Sequence, residues 1–263
     1  MKKIVALSLL LTVGLFAQKL TIQGSTTVLP IAQAAAEAYM DNNPDADITV
    51  RGGGSGTGIA ALIDGATDIA DASRPMKDKE IKTAREKGVN PVANVVARDG
   101  IAVVVHPENT IDAITIEDIK AIYTGEISRW DKVGGKGSIV VVSRDAASGT
   151  FETFNELALH KAKLTDAALM LASNLEVART VAQTPGAIGY IGLGYLTNEV
   201  KALEVEGITP SDATVRDGSY PLARPLFMYT NGSPKGLAKS FIDFVMSTAG
   251  QQIVTEAGFV PVK

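Results

Sequence analysis

Three stretches of this 263-residue chain put small hydroxyl residues or glycine directly ahead of a predicted helix. They are Gly24-Ser25-Thr26-Thr27, the glycine-rich run from Gly52 to Gly58, and Ala147-Ser148-Gly149-Thr150. A helix start leaves about four backbone N–H groups without partners and carries roughly half a positive charge. Glycine lets a ligand come close to the backbone, and Ser or Thr hydroxyls add donors that rotate to suit it. Together they make an oxyanion site that needs little formal positive charge. Taken singly, Thr26, Ser55 or Ser148 reads as a plain helix N-cap. Three such stretches in one chain point to an oxyanion site, and capping and binding are compatible roles.

Two arginines sharpen this reading. Arg144 ends the predicted strand before Ser148, which puts it at the sheet edge beside that helix start, and Arg74 follows Ser73 at the end of another predicted strand. A guanidinium offers five N–H donors in a planar fork suited to a bidentate grip on an oxyanion. For either arginine the plainer alternative is a surface ion pair, with Asp71 or Asp145 as partner. Enzyme templates fit poorly. The glycine-rich run has neither the Lys-Ser/Thr ending of a P-loop nor the spacing of a nucleophile elbow around Ser55, and it matches a dinucleotide fingerprint only loosely. Of the two histidines, His160 falls on a predicted helix and His106 on a predicted crossing strand, which favours structural roles. No catalytic residue is assigned.

These residues need a scaffold that brings distant turns together. Leu20–Gln23, Ile48–Val50, Asp68–Ala72, Ile101–Val105, Ile139–Ser143 and Ala187–Ile191 read as strands. Leu29–Met40, Ile59–Asp64, Lys77–Lys87, Ile116–Tyr123, Phe151–Leu159 and Leu175–Gln183 read as helices between them. Such alternation with short connections indicates an α/β fold with helices on both sheet faces. Arg98–Pro107 and Ser219–Thr230 each carry a continuous apolar core, and they read as two strands crossing between two lobes. A C-terminal helix, Leu237–Ser247, then returns to the first lobe. A discontinuous arrangement of this kind places a cleft between the lobes, where small molecules bind.

Composition narrows the class. Lys2-Lys3, an apolar run from Ile4 to Phe16 and then Ala17 form the pattern of a cleaved secretory signal peptide, 1–17. The run is shorter than the roughly 18 residues of a spanning helix. Its removal takes away two lysines and no acid, so the formal net charge goes from −4 to −6. That balance argues against nucleic acid or an anionic membrane as partner, and any bound anion must be held by local donors. The chain has no cysteine, which in an exported protein excludes disulfides, thiolate metal sites and a lipid-modified N-terminal Cys. Two histidines argue against a multi-histidine metal centre, and no cofactor is expected.

The motifs, taken in order, resemble the periplasmic phosphate-binding proteins of high-affinity phosphate ABC transporters. The likeness is carried by residues 24–28 (GSTTV), 54–58 (GSGTG), 68–75 (DIADASRP) and 143–150 (SRDAASGT). Residues 122–130 (IYTGEISRW), 185–190 (PGAIGY), 217–225 (DGSYPLARP) and the ending from Gly250 to Pro261 agree as well. The resemblance implies a type II periplasmic-binding-protein fold closing around one dehydrated phosphate. The expected lobes are 18–100 plus 225–263, and 101–224. It implies ligand contacts from Thr26, the backbone at Thr27, Ser55, Arg144, Ser148, Gly149 and Thr150, with Ser25 in the same turn. In the best-studied branch an aspartate stands where this chain has Ser73-Arg74; the pair resembles a second branch in which Ser and Arg contact the anion. Asp71 and Asp145 are candidates for the missing acceptor. The implied protein is a monomeric periplasmic solute-binding protein that delivers inorganic phosphate to a membrane permease. The alternatives are a binder of sulfate, molybdate or arsenate and, from another class, a secreted phosphatase or adhesin.

Overall fold

The computed structural model describes residues 18–263, so the expected signal segment lies outside the described residues. The first half alternates as the sequence suggests: β1 (Gln18–Gly24), α1 (Leu29–Asn42), β2 (Ala46–Arg51), α2 (Ser55–Ile63), β3 (Ile69–Ala72) and α3 (Asp78–Glu86). Helix α1 is rich in alanine, buries Ile31, Ala32, Ala35 and Ala36 on one face, and stops before Asn43-Pro44, because proline disfavours helical backbone in the residue before it. After it come β4 (Pro91–Val105), β5 (Ala113–Ile114), α4 (Ile116–Thr124), β6 (Val140–Arg144), α5 (Gly149–Leu157), β7 (Leu169–Leu171), α6 (Asn174–Gln183) and β8 (Ala187–Gly192). The chain ends with β9 (Lys201–Ala202), β10 (Glu204–Val205), α7 (Asp212–Arg216), β11 (Ala223–Asn231), α8 (Gly236–Val245) and α9 (Thr248–Glu256).

Most strands share one sheet in the order β2-β1-β3-β11-β4-β8-β6-β7, with β9 also on β4; β5 and β10 pair separately. β1 is parallel to β2 and β3, and β6 is parallel to β7 and β8. The two parallel sets are joined through the long strands. β4 runs antiparallel to β11 from Pro91 to Gly100, then antiparallel to β8 from Ile101 to Val105. One strand thus belongs to both halves of the sheet. Its register with β11 shifts between Leu226 and Phe227, leaving Val96 as an extra residue, which bends the pair locally.

Side-chain alternation splits each half into two cores. Ile101, Val103 and Val105 pack with Tyr123, Trp130, Phe154 and Tyr190, while Ala102 and Val104 pack on the other face with Val177 and Val181. In the first half, Leu226 and Met228 join Ile22, Ile31 and Phe241; Phe227 and Tyr229 join Ile59, Ala70 and Ala72. Period-two burial on both faces is the mark of a strand covered by helices on each side. No helix among the described residues is long and apolar enough to cross a membrane.

Several expected boundaries move. α2 starts at Ser55, four residues before Ile59, because the glycine-rich run itself supplies the first turn. His160 is not helical: α5 ends at Leu157, and His160 follows in a turn with φ 52°. His106 lies just beyond the end of β4, and its Nδ1 accepts from the Glu108 N–H. The C-terminal segment holds two helices, because the Ser247 hydroxyl accepts from the Gly250 N–H and starts α9.

Candidate functional site

Four helix starts meet where the two parallel strand sets end. The turn after β1 leads into α1, with Ser25 Oγ accepting from the N–H groups of Thr27 and Val28. Thr27 Oγ1 lies 2.9 Å from Thr150 Oγ1 in the first turn of α5. Asn174, the first residue of α6, donates through Nδ2 to Thr26 Oγ1 and Thr27 Oγ1, both at 3.1 Å. At the start of α2, Ser55 Oγ accepts from Ser73 N at 3.0 Å and lies 3.3 Å from Ser73 Oγ. Ser148 caps α5, its hydroxyl accepting from Phe151 N. All these hydroxyl residues are buried.

The glycines allow this convergence. A methyl group on Gly149 would lie 2.2 Å from Ser55 Oγ, and one on Gly54 would lie 2.6 Å from the Ala147 carbonyl oxygen. Gly54 also has φ +97°, which L side chains rarely adopt. Gly56 N donates to Ala147 O at 2.9 Å, so the two walls are in direct contact.

Two arginines reach the cluster from different directions. Arg144, at the end of β6, is 1% exposed. Its Nε donates to Leu171 O, and its Nη2 donates to Ala172 O and, at 3.3 Å, to Thr26 Oγ1. Its Nη1 is buried and has no hydrogen-bond partner among the described residues. Burial pulls the Arg144 pKa down, with Tyr190 and Asp145 opposing that shift. Arg224, on β11, is paired with Asp99 on β4: Nε and Nη2 both donate to Asp99 Oδ2, at 3.0 and 2.8 Å. From there Nη2 also reaches Thr27 Oγ1 at 3.2 Å and Thr150 Oγ1 at 3.0 Å, and Nη1 reaches Ser73 O. A buried guanidinium with no carboxylate against it and a free N–H, ringed by hydroxyls and helix starts, suits a small multivalent anion.

Comparison with known proteins agrees with this chemistry. Residues 16–249 match the family model described as the PBP superfamily domain. The phosphate-binding protein PstS of Bacillus subtilis is 40% identical over 92% of this chain and 80% of its own length. The chain belongs to the PstS phosphate-binding-protein family. PstS of Borreliella burgdorferi is 32% identical over the full length of both chains. The crystal structure of a candidate phosphate ABC transporter substrate-binding protein from Clostridium perfringens, with bound phosphate, superposes with a TM-score of 0.87. That protein is 34% identical and is covered completely by 94% of this chain. The type II, two-lobed α/β architecture expected from the sequence is that of this PstS family.

Of the ten residues singled out in the sequence, the structure gathers nine around the interlobe contact and leaves one outside. Arg74 makes no hydrogen bond to the others. Its Nη1 and Nη2 grip Glu80 bidentately at 2.8 and 2.7 Å, and its Nε lies 2.7 Å from Glu152 Oε2. Two carboxylates, from α3 and α5, hold its guanidinium in this structure. The ion-pair alternative therefore describes Arg74, although the partners are neither Asp71 nor Asp145. Asp145 is half-buried and accepts from Ala147 N in its own turn. Asp71 is buried in β3 with both carboxylate oxygens unpartnered among the described residues, and burial raises its pKa well above the usual carboxylate range.

Sequence reasoning passed over Asn174, Asp99, Arg224 and Tyr195. Tyr195 donates to the Thr26 carbonyl, and burial pushes its hydroxyl up to about 12. The available signal was Arg224 itself, an arginine near the start of a strand that runs on through Leu226, Phe227 and Met228.

Proposed function

We propose that this protein captures inorganic phosphate outside the cytoplasm and delivers it to the membrane permease of an ABC importer. The observation that carries the reading is the buried Nη1 of Arg144, without a hydrogen-bond partner among the described residues, on a guanidinium whose Nη2 reaches Thr26 Oγ1. Phosphate binding by PstS relatives supports the identity of the anion. The proposed ligand set is Ser25, Thr26, the backbone at Thr27, Ser55, Ser73, Arg144, Ser148, Gly149 and Thr150. The proposed lobes are 18–100 with 225–263, and 101–224, acting as a monomer in the periplasm.

In this mechanism phosphate enters an open cleft, and the closed form is favoured because it alone offers donors from both walls. A ligand shifts such an equilibrium only by its differential affinity for the two states. The expected result is calorimetric binding of phosphate with one site per chain, together with compaction in small-angle scattering. Absence of phosphate binding beside clear binding of sulfate, molybdate or arsenate would transfer the role to another tetrahedral oxyanion. Turnover of an aryl phosphate by the purified protein would instead revive the hydrolase alternative.

A further inference from the structure

The Thr27 side chain leaves the half of the sheet it belongs to and lodges in the other. Its turn follows β1, yet its hydroxyl lies 2.9 Å from Thr150 Oγ1 on α5 and accepts from Asn174 Nδ2 on α6 at 3.1 Å. Arg224 Nη2 has one hydrogen on Asp99 Oδ2 and one left for the two threonines, 3.2 and 3.0 Å away. The Thr27 methyl fills the space that a side chain on Gly192, at the end of β8, would need. A Cβ there would lie 2.9 Å from Thr27 Cγ2 and 3.0 Å from Asp99 Oδ2. Gly192 takes φ −70° and ψ 150°, angles open to any residue, so the contact uses its missing side chain and not its backbone freedom. Thr27 is fully buried as a result.

The socket around this threonine is held together by bonds within the second half of the sheet. Ser173 caps α6 by accepting from Glu176 N, and the Glu176 carboxylate takes the N–H groups of Ala172 and Ser173. The turn that carries Asn174 is therefore fixed by its own capping box. Gly192 N donates to Asn174 Oδ1 at 3.2 Å, which sets the amide with Nδ2 facing the threonines. Its two hydrogens go to Thr26 Oγ1 and Thr27 Oγ1, both at 3.1 Å, and none is left for an anion.

Resting on the phosphate reading above, we propose that Thr27 and Asn174 are positioning residues: the threonine side chain is a peg, Asn174, Thr150 and Gly192 form its socket, and seating the peg sets the spacing of the two walls around the anion. With the proposed lobes, Thr27 lies on one side of the cleft and the socket on the other. Seated, the peg holds the Thr26 turn against Arg144 Nη2 and the start of α5. In an open cleft water satisfies the same hydroxyl and amide, so the crossing bonds stabilise the closed form alone. They act on release and not on capture, which happens before the walls meet.

The test is a double-mutant cycle on the full mature chain with Thr27→Val, which keeps the shape and removes the hydroxyl, with Asn174→Ala, and with both together. Stopped-flow measurements with inorganic phosphate give capture and release rates, and thermal melting without phosphate gives the stability of the ligand-free chain. Each single variant should release phosphate at least about tenfold faster, from the loss of two or more hydrogen bonds, with capture unchanged. The double variant should release more slowly than the product of the two effects, because both substitutions remove the Thr27–Asn174 bond. In ligand-free melting the two effects should simply add, and the cycle cancels whatever Asn174→Ala costs through Gly192 N. Thr27→Ser, which keeps the hydroxyl and gives up one buried methyl, should speed release only about fourfold. Equal coupling with and without phosphate would make the pair an ordinary structural contact and overturn the proposal. So would additive effects on release, or Thr27→Ser as damaging as Thr27→Val. A wild-type chain that binds no phosphate would instead sink the functional reading itself.

Discussion

Gly149→Ala should abolish tight binding without harming the fold. Gly149 opens α5 and shows no left-handed backbone, so alanine fits its conformation and improves helix propensity by up to about 1 kcal/mol. The added methyl, however, would lie 2.2 Å from Ser55 Oγ, 2.8 Å from Ser73 Oγ and 2.9 Å from Ser55 Cβ. Rotating the serine does not relieve this, since its Cβ is itself too close. With Ser55 Oγ kept on the Ser73 N–H, restoring ordinary contact at 3.4 Å moves the walls apart by about 1.2 Å. The bonds from Thr27 to Thr150 and from Gly56 N to Ala147 O, both 2.9 Å, would then stretch past hydrogen-bonding range. A ligand spanning the gap keeps one wall and loses at least two charge-assisted hydrogen bonds to the other, each worth about 1.5–3 kcal/mol. Affinity should fall at least about a hundredfold. Thermal melting without phosphate should be unchanged or slightly higher, and scattering should no longer show compaction on adding phosphate. Wild-type affinity in Gly149→Ala would refute the idea that closure of these two walls creates the site.

Three further outcomes are expected. Arg144→Ala should weaken phosphate binding by about 2–5 kcal/mol, because a buried charged contact loses one partner, and calorimetry showing wild-type affinity would remove Arg144 from the site. Glu152→Gln cuts the links from α5 to Arg74 and Lys77 across the cleft, and should speed phosphate release in stopped-flow measurements by a modest factor, about 1 kcal/mol or less. Asp71 has a folded pKa above its unfolded one, so the folded state holds the extra proton and stability falls as pH rises from about 4 toward that raised value. Asp71→Asn should therefore melt higher than the wild type at neutral and alkaline pH, with the gap closing in acid.

What the sequence made legible here is what is local. A hydroxyl or glycine just ahead of a helix is visible as a short string, and Thr26, Ser55, Ser148 and Thr150 all came from such strings. The α/β class was legible because short apolar β-type runs alternate with helical stretches, as Ile101–Val105 and Ile116–Tyr123 do. Partners distant along the chain were not. Arg224 and Asp99 lie 125 residues apart and meet only because β11 and β4 pair. Arg74 looked equivalent to Arg144 in the sequence, both ending strands beside a serine. Their fates differ because Glu80 and Glu152 stand against one and no carboxylate bonds to the other. An arginine is claimed by the nearest well-placed carboxylate, and the placement of carboxylates is a property of packing.

The charge arithmetic at the site has a consequence for release. Arg224 is neutralised by Asp99, so Arg144 supplies, among the described residues, the one uncompensated positive side chain bonded into the cluster, in a protein of net negative charge. The rest of the attraction has to come from hydroxyls, amides and helix starts, whose partial charges act strongly only where water is excluded. Arg224 stands on β11, paired with the strand that both halves of the sheet share, and its Nη2 lies within reach of Thr27 Oγ1 at the start of α1 and of Thr150 Oγ1 at the start of α5. On the proposed mechanism, opening the cleft would draw Thr27 away from Thr150 and from that guanidinium and admit water to the donors. Separation of the walls would therefore do more than break contacts with the anion: it would expose the remaining dipoles to water, which screens them. A binding protein built on oriented dipoles loses its affinity steeply over a small opening, whereas one built on several free cations would hold its anion through the same motion.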